Sequence, residues 1–276
     1  MAQSTVTVRF CGVRGSVPTP GASTQGVGGN TSCVELAGEE PILFDAGTGL
    51  RAFGAGLMKK PPAAVHILLG HYHWDHMLGL PFFPLIFGGN TVIHVYGERK
   101  EGGGPREALA RQFAPPHFPV DFAFIQKSCR FHDLQAGDSF KIGRTAIKVG
   151  RLNHPQQAVS FRATRDGVSV VYATDHEHDG KGDKGLVKFA RDADLLVYDA
   201  MYTGASYNAG KKGWGHSTWE EGCRIAREAD VGRLGLFHHD PQHDDKTMRT
   251  IERAARKAFK GAFAAREGQV LRFTGR

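Results

Sequence analysis

The chain has only four cysteines in 276 residues, Cys11, Cys33, Cys129 and Cys223, and no two form a CxxC pair. That scarcity argues against a disulfide framework and against a thiolate metal site, and leaves all four as small core residues. No apolar run approaches the roughly 18 residues that a membrane span requires. Residues 1–10 lack the basic and apolar halves of a signal peptide, so the expected location is the cytoplasm, with no membrane partner. Internal repeats and low-complexity stretches are missing as well. The nearest thing to a linker, "GERKEGGGPRE" at 97–107, reads as a surface loop, and one domain over 1–276 is expected. The glycines at 26, 28 and 29 do not form GxGxxG; "VGGNTSC" suits a tight turn better than a nucleotide cradle.

What is present begins with charge. Lysine and arginine number 35 against 28 acidic residues, a net +7 that favours anionic partners without separating nucleic acid from nucleotide. The most basic run, "TIERAARKAFK" at 250–260, carries apolar residues at helical spacing and reads as a solvated helix face. Strand-sized runs are "VTVRF", "CVELA", "PILFDAG", "VHILLG", "TVIHVYG", "AIKVGRL", "VSVVYATD", "ADLLVYDA" and "GRLGLFHH". They alternate with a few helices, including 217–229 and 245–259, which predicts a mixed α/β fold.

Several of those runs end on a polar residue: "HILLG" at His71, "VVYAT" at Asp175, "LLVY" at Asp199 and "LGLF" at His238 and His239. In sheets covered by helices, sites form beyond strand ends, so these groups can converge although they are distant in sequence. The densest of them is "HYHWDH" at 71–76, three histidines and an aspartate within six positions. His71 and His73 alternate on an extended segment and can point one way; Asp75 and His76 follow at the turn into a helix and can face a second point. One loop can thus serve two neighbouring divalent ions, for which imidazole and carboxylate are suitable ligands. Water held between two such ions loses its proton near neutral pH and becomes a nucleophile.

"HYHWDH" resembles the HxHxDH signature of metallo-β-lactamase-fold hydrolases, and the similarity runs on in that family's order over nearly the whole chain. "GVRGSVPTPG", "GGNTSCVEL" and "LFDAGTGL" resemble the first sheet, whose Asp45 lies near the site as a support; "NHP" at 153–155, "ATD" at 173–175 and "LGLFHHDP" resemble the later ligand motifs. The resemblance implies an αββα sandwich of four layers and a dinuclear metal site. One ion would be held by His71, His73, His154 and Asp175, the other by Asp75, His76, Asp175 and His238, with Asp175 bridging. Zinc is the first expectation, and manganese or iron also fits nitrogen and oxygen ligands. His154 alone reads equally as a ligand or a buried polar group. His238 is preferred to His239, which would face the other way.

"DAMYT" at 199–203 and "GHSTWEEG" at 215–222 resemble the phosphodiesterase branch of the family, which includes transfer-RNA 3′-end ribonuclease Z, bacterial cyclic-nucleotide phosphodiesterases and the phosphodiesterase of phosphonate breakdown. This implies that His216 donates to the reacting phosphate, oriented by Asp199; the catalytic groups expected are Asp75, His216 and Asp199. Independently, Ser217 and Glu220 form an S-x-x-E capping box, which predicts a helix from Ser217 with His216 just outside it, beside anion-favouring N–H groups. His176 and His178 in "TDHEHDGKGDKG" read as part of a mobile surface loop. Asp240 and His243 read equally as orienting partners of the ligands or as caps of a helix beginning near Asp244. Lys211 and Lys212 read as solvated, and Trp74 and Trp214 as either entrance lining or packing.

The activity expected is hydrolysis of small or cyclic phosphodiesters, cyclic nucleotides among them. Ribonuclease Z enzymes carry a long glycine-rich and basic arm that grips transfer RNA. Only 20 residues separate His154 from Asp175 and 23 separate Asp175 from Asp199, too few for such an arm. Transfer RNA is therefore the less favoured substrate. An RNA-processing endonuclease, a lactone or thioester hydrolase and a non-catalytic nucleotide-binding protein are the alternatives, and a homodimer is left open.

Overall fold

A computed structural model describes residues 4–276, so the first three residues of the amino-terminal stretch considered for a leader lie outside it. The chain builds two seven-stranded sheets. The first contains β1 (Thr5–Gly12), β2 (Cys33–Leu36), β3 (Ile42–Phe44), β4 (Ala64–Leu68), β5 (Val92–Glu98) and β6 (Cys129–Leu134). The second contains β7 (Ser139–Ile142), β8 (Thr145–Leu152), β9 (Ala158–Arg165), β10 (Val168–Ala173), β11 (Leu195–Asp199), β12 (Arg233–Phe237) and β13 (Ala262–Ala264). The last strand, β14 (Val270–Thr274), returns to the first sheet beside β1.

Both sheets follow one plan. Four strands pair antiparallel at one side (β14-β1-β2-β3 and β7-β8-β9-β10), and the pairing then turns parallel (β3-β4-β5-β6 and β10-β11-β12-β13). Sequence follows the pairing. In β1 the buried residues alternate as Val6, Val8 and Phe10, the pattern of a sheet with one wet face, whereas β10 and β11 are buried throughout, as parallel strands covered on both faces must be.

The sheets face each other across one continuous core in which Phe44 stacks on Tyr172 at 5.3 Å and Phe10 meets Phe237 at 6.1 Å. Helices α1 (Gly49–Leu57), α2 (Trp74–Met77), α3 (Pro84–Gly88), α4 (Pro105–Gln112) and α5 (Phe122–Ile125) accompany the first sheet; Leu50, Phe53, Leu109 and Ile125 bury against it in a second core. The other sheet is covered by α6 (Lys184–Ala190), α8 (Trp219–Glu228) and α9 (Asp245–Ala258), and the short α7 (Gly204–Asn208) lies between β11 and α8 in the chain. The order is helices, sheet, sheet, helices: the four-layered αββα sandwich of the metallo-β-lactamase fold. Among the described residues no helix is long and apolar enough to cross a membrane.

Three readings are corrected. The cap of α8 is Thr218, whose hydroxyl accepts from the Glu221 amide at 3.3 Å, one residue beyond the expected Ser217. Ser217 is fully buried and bonds Tyr198 and His178, while Glu220 reaches away to the Gly204 amide, so neither is free to form the box. The segment 176–183 is not wholly a surface loop: Asp179, Gly180 and Lys181 are exposed, but His176 is buried and pairs with Asp183 at 2.9 Å, and Asp183 pairs with Arg224 at 3.1 Å. The stretch 97–107 does more than cross the surface, since it completes β5, begins α4 and lines a cavity.

Candidate metal centre

The polar residues at the strand ends converge. After β4 the chain stays extended through His73 and then enters α2, so that Asp75 and His76 lie on the first turn of a helix. Asp45 follows β3, Asp175 lies just past β10, Asp199 ends β11 and His238 follows β12. Asp45, Asp175 and His238 all have left-handed backbones, with φ of 59°, 59° and 58°. Such a conformation is unfavourable for a residue with a side chain and recurs where geometry at a site requires it.

Two triads result. One ring nitrogen from each of His71, His73 and His154 lies within 4.8 Å of the others, and so do single ligand atoms of Asp75, His76 and His238. Asp175 stands between them: one carboxylate oxygen is 3.7 Å from His71 Nε2, and the other is 3.2 Å from His76 Nε2 and 3.4 Å from His238 Nε2. The neighbouring aspartate, Asp75, is 3.1 Å from both His76 Nε2 and His238 Nε2 and accepts the Ser16 amide at 2.8 Å. Burial would raise the Asp75 and Asp175 carboxyls, but the surrounding histidines outweigh it and hold both well below the usual carboxylate range.

Three of the rings are set from behind. His76 Nδ1 lies 2.7 Å from Asp45, a fully buried carboxylate that also accepts from the Gly70 amide and the Tyr172 hydroxyl, both at 2.7 Å. His154 Nδ1 donates to the Gly215 carbonyl at 2.9 Å, and His73 Nε2 lies 2.8 Å from Gln156. These partners turn the opposite nitrogens toward the centre, the usual way a protein orients imidazole ligands. Two glycines permit the approach: a Cβ on Gly15 would sit 2.5 Å from the His238 ring, and one on Gly215, where φ is +85°, would sit 2.4 Å from His154 Nδ1.

The donor set fits a cation. His71 Nε2 and His76 Nε2 are buried and make no hydrogen bond, although carboxylate oxygens lie within 4 Å of each. Buried polar atoms left without partners are costly, and lone pairs converging among carboxylates are what a divalent ion satisfies. Burial also pushes the His71 and His154 rings down, toward the neutral form a metal needs.

Beside the triads stands His216, nine-tenths buried, with Nδ1 2.9 Å from Asp199. Burial disfavours charge on this ring, but Asp199 more than offsets it and pushes the pKa up to about 9. Asp199 is itself fixed by the amides of Met201 (3.1 Å) and His176 (3.3 Å). A cavity of about 480 Å³ brings His216, Asp75, Asp175 and His73 to a common opening with Ser16 and Trp74.

Other residues fall elsewhere. His239 points away to the Ala265 carbonyl at 2.9 Å, and burial pushes it down to about 3. Asp240 binds the Gln242 amide at 2.8 Å, and the cap of α9 is Asp244, which holds the Thr247 amide at 2.7 Å. His178 pairs with Ser217, Lys211 lies over the Trp214 ring at 4.0 Å, and Trp74 is 78% exposed at the mouth of the site. Sequence reasoning missed Arg14, wholly buried, which ties Gly28 to the backbone of Asp240 and His243 behind His238. It also missed Glu177, which accepts from Tyr207 (2.8 Å) and from the amides of Gly213 (2.6 Å) and Gly215 (2.8 Å). Neither residue carries a motif; only tertiary contact reveals them.

A His/Asp cluster at the strand ends between two such sheets defines a metal-dependent hydrolase of the metallo-β-lactamase fold. Residues 41–239 match the family model described as the beta-lactamase superfamily domain, and the chain belongs to that family. It is 25% identical to a protein named ribonuclease Z from Thermoplasma acidophilum over 313 aligned positions, covering 96% of this chain and 95% of that one. Among solved structures it is similar to the metallo-beta-lactamase fold protein YhfI from Bacillus subtilis (TM-score 0.74, 21% identity, 98% and 100% covered). A second is the short form of human tRNase Z (TM-score 0.64, 22% identity, 96% and 98% covered). The cluster is accordingly a divalent-metal site.

Proposed function

We propose that the protein is a phosphodiesterase acting with two divalent ions on small or cyclic phosphodiesters. The observation that carries this reading is the His216–Asp199 pair set against the two triads. His71, His73 and His154 would hold one ion and Asp75, His76 and His238 the other, with Asp175 shared; zinc suits these ligands, as do manganese and iron. Bound there, divalent ions supply a water of lowered pKa and positive charge facing the phosphoryl oxygens. His216 keeps Nδ1 on Asp199 and turns Nε2 to the cavity it lines, where it donates a proton to the leaving oxygen. Asp199 fixes the tautomer and supports the charged ring, while Asp75, ionised and held by the Ser16 amide, stays available to orient the nucleophile.

A second reading, cleavage of precursor transfer RNA, draws on the names of the relatives. Against it stands the length of the match: 313 aligned positions against a chain of 276, so the relative carries stretches with no counterpart here. Between His154 and Asp175 the chain is occupied by β9, the turn at Asp166 and Gly167, and β10. Without a remote grip, affinity must come from the cavity itself. The test compares kcat/KM for 2′,3′- and 3′,5′-cyclic nucleotides with cleavage of a precursor transfer RNA. Cyclic-nucleotide turnover should dominate; position-specific release of the RNA trailer with negligible cyclic-nucleotide turnover would reverse the assignment.

A further inference from the structure

We infer that a second, larger cavity beside the metal centre receives a hydrocarbon group, so that the best substrates among small phosphodiesters are those with a hydrocarbon substituent. The identity of the reacting group rests on the phosphodiesterase reading; the preference for hydrocarbon is a property of the cavity itself. The cavity, about 840 Å³, begins at His71 and His73 and is lined by residues of both α2 and α4. Its size lies within the range of pockets that enclose a small organic ligand. It shares Tyr72, His73, Trp74 and Gln156 with the smaller cavity at His216. A phosphate in the smaller space can therefore place one of its substituents in the larger.

Trp74, Met77, Leu78, Pro81, Phe82 and Phe118 supply a wall of carbon. Phe82 is 57% exposed and meets Phe118 edge to face with centroids 5.8 Å apart. Apolar surface left open beside a reaction centre is surface that a ligand can cover. The polar side chains among these residues are engaged with the protein itself. Lys100 Nζ donates to the Gln156 and Gln157 carbonyls at 2.7 and 2.5 Å, and the Tyr72 hydroxyl donates to the Glu98 carbonyl at 2.6 Å. The Gln156 side-chain oxygen lies 2.8 Å from His73 Nε2, and Arg111 donates to the Gly102 carbonyl at 2.5 Å. Arg111 and His117 are exposed and keep their water. A sugar hydroxyl entering this space gives up its hydration for walls whose donors and acceptors are already taken, which costs free energy. A hydrocarbon group has no such loss and gains by leaving water.

The test is calorimetric binding to the metal-loaded protein of methyl, butyl and octyl phosphates and thymidine 5′-monophosphate, which share the phosphate and differ in what it carries. Affinity should rise about threefold for each methylene buried until the cavity is full, and thymidine 5′-monophosphate should bind less tightly than octyl phosphate. Phe82→Ser removes carbon from the wall at an exposed position, and Ala108→Asp places a charge on it. Each should cut the ratio of octyl to methyl affinity by about tenfold or more. Because that ratio is taken within one preparation, partial loss of folded protein does not imitate the effect. Affinity independent of chain length, tighter binding of thymidine 5′-monophosphate than of octyl phosphate, or a ratio untouched by both variants would overturn the inference. Hydrolysis of bis(p-nitrophenyl) phosphate by the same preparation separates the two claims. Length-dependent binding without hydrolysis supports the hydrocarbon site while removing the phosphodiesterase reading, and hydrolysis without length dependence does the opposite.

Discussion

His216 has one ring nitrogen committed to a buried carboxylate and the other turned to the cavity, an arrangement suited to moving one proton to a departing oxygen. His216→Ala should lower kcat by about a hundredfold or more, as loss of a general acid does, with metal content unchanged by elemental analysis. Loss of metal in that variant would make His216 a ligand instead. Asp45 acts one step further back, through His76, and its three hydrogen bonds leave it no freedom to do anything else. Asp45→Asn keeps the shape but cannot accept equally from all three donors. Metal affinity, measured by chelator competition, should fall by about 10- to 100-fold, the usual effect of removing such an orienting carboxylate.

The elements explain why some of this was legible and some was not. The HxHxDH loop could be read because its chemistry is local: an apolar strand, an extended pair of histidines and a helical turn lie within a dozen residues. Of the five strands outside the apolar runs read from the sequence, β9 is interior and the other four, β6, β7, β13 and β14, are the four edges of the two sheets. Edge strands are short and half wet, and their residues need not be apolar, as "SFKI" and "CRFHDL" are not. The cap of α8 was misplaced by one residue because Ser217 and Glu220 take tertiary partners that a local pattern cannot foresee. Glu177 is a related case: its three bonds pin the segment 204–215, which ends on the carbonyl that orients His154. Glu177→Ala should speed amide hydrogen exchange across that segment and reduce turnover while the core strands keep their protection. Unchanged exchange would show that the segment is held by other means.

Over the whole molecule, the two sheets repeat one pairing plan that leaves no trace in the sequence as a repeat. It directs the ends of β3, β4, β10, β11 and β12 to one place, which is why residues from Asp45 to His238 meet there. That convergence gathers carboxylates and imidazoles in a buried volume, so a bound cation should stabilise the fold as well as serve the reaction. At a free metal concentration of about 100 times Kd the gain is about 2.7 kcal/mol. For a chain of this size that corresponds to a rise of about 5–10 °C in Tm, measurable by thermal unfolding with and without chelator. An identical Tm in both conditions would mean that the cluster holds no tightly bound ion.

The most direct measurement titrates metal-free protein with zinc while following p-nitrophenolate release from bis(p-nitrophenyl) phosphate. Hydrolysis should rise from the background rate and level off at about two equivalents per chain, one for each triad. A plateau at one equivalent, or no hydrolysis at any loading with zinc, manganese or iron, would contradict a two-ion phosphodiesterase.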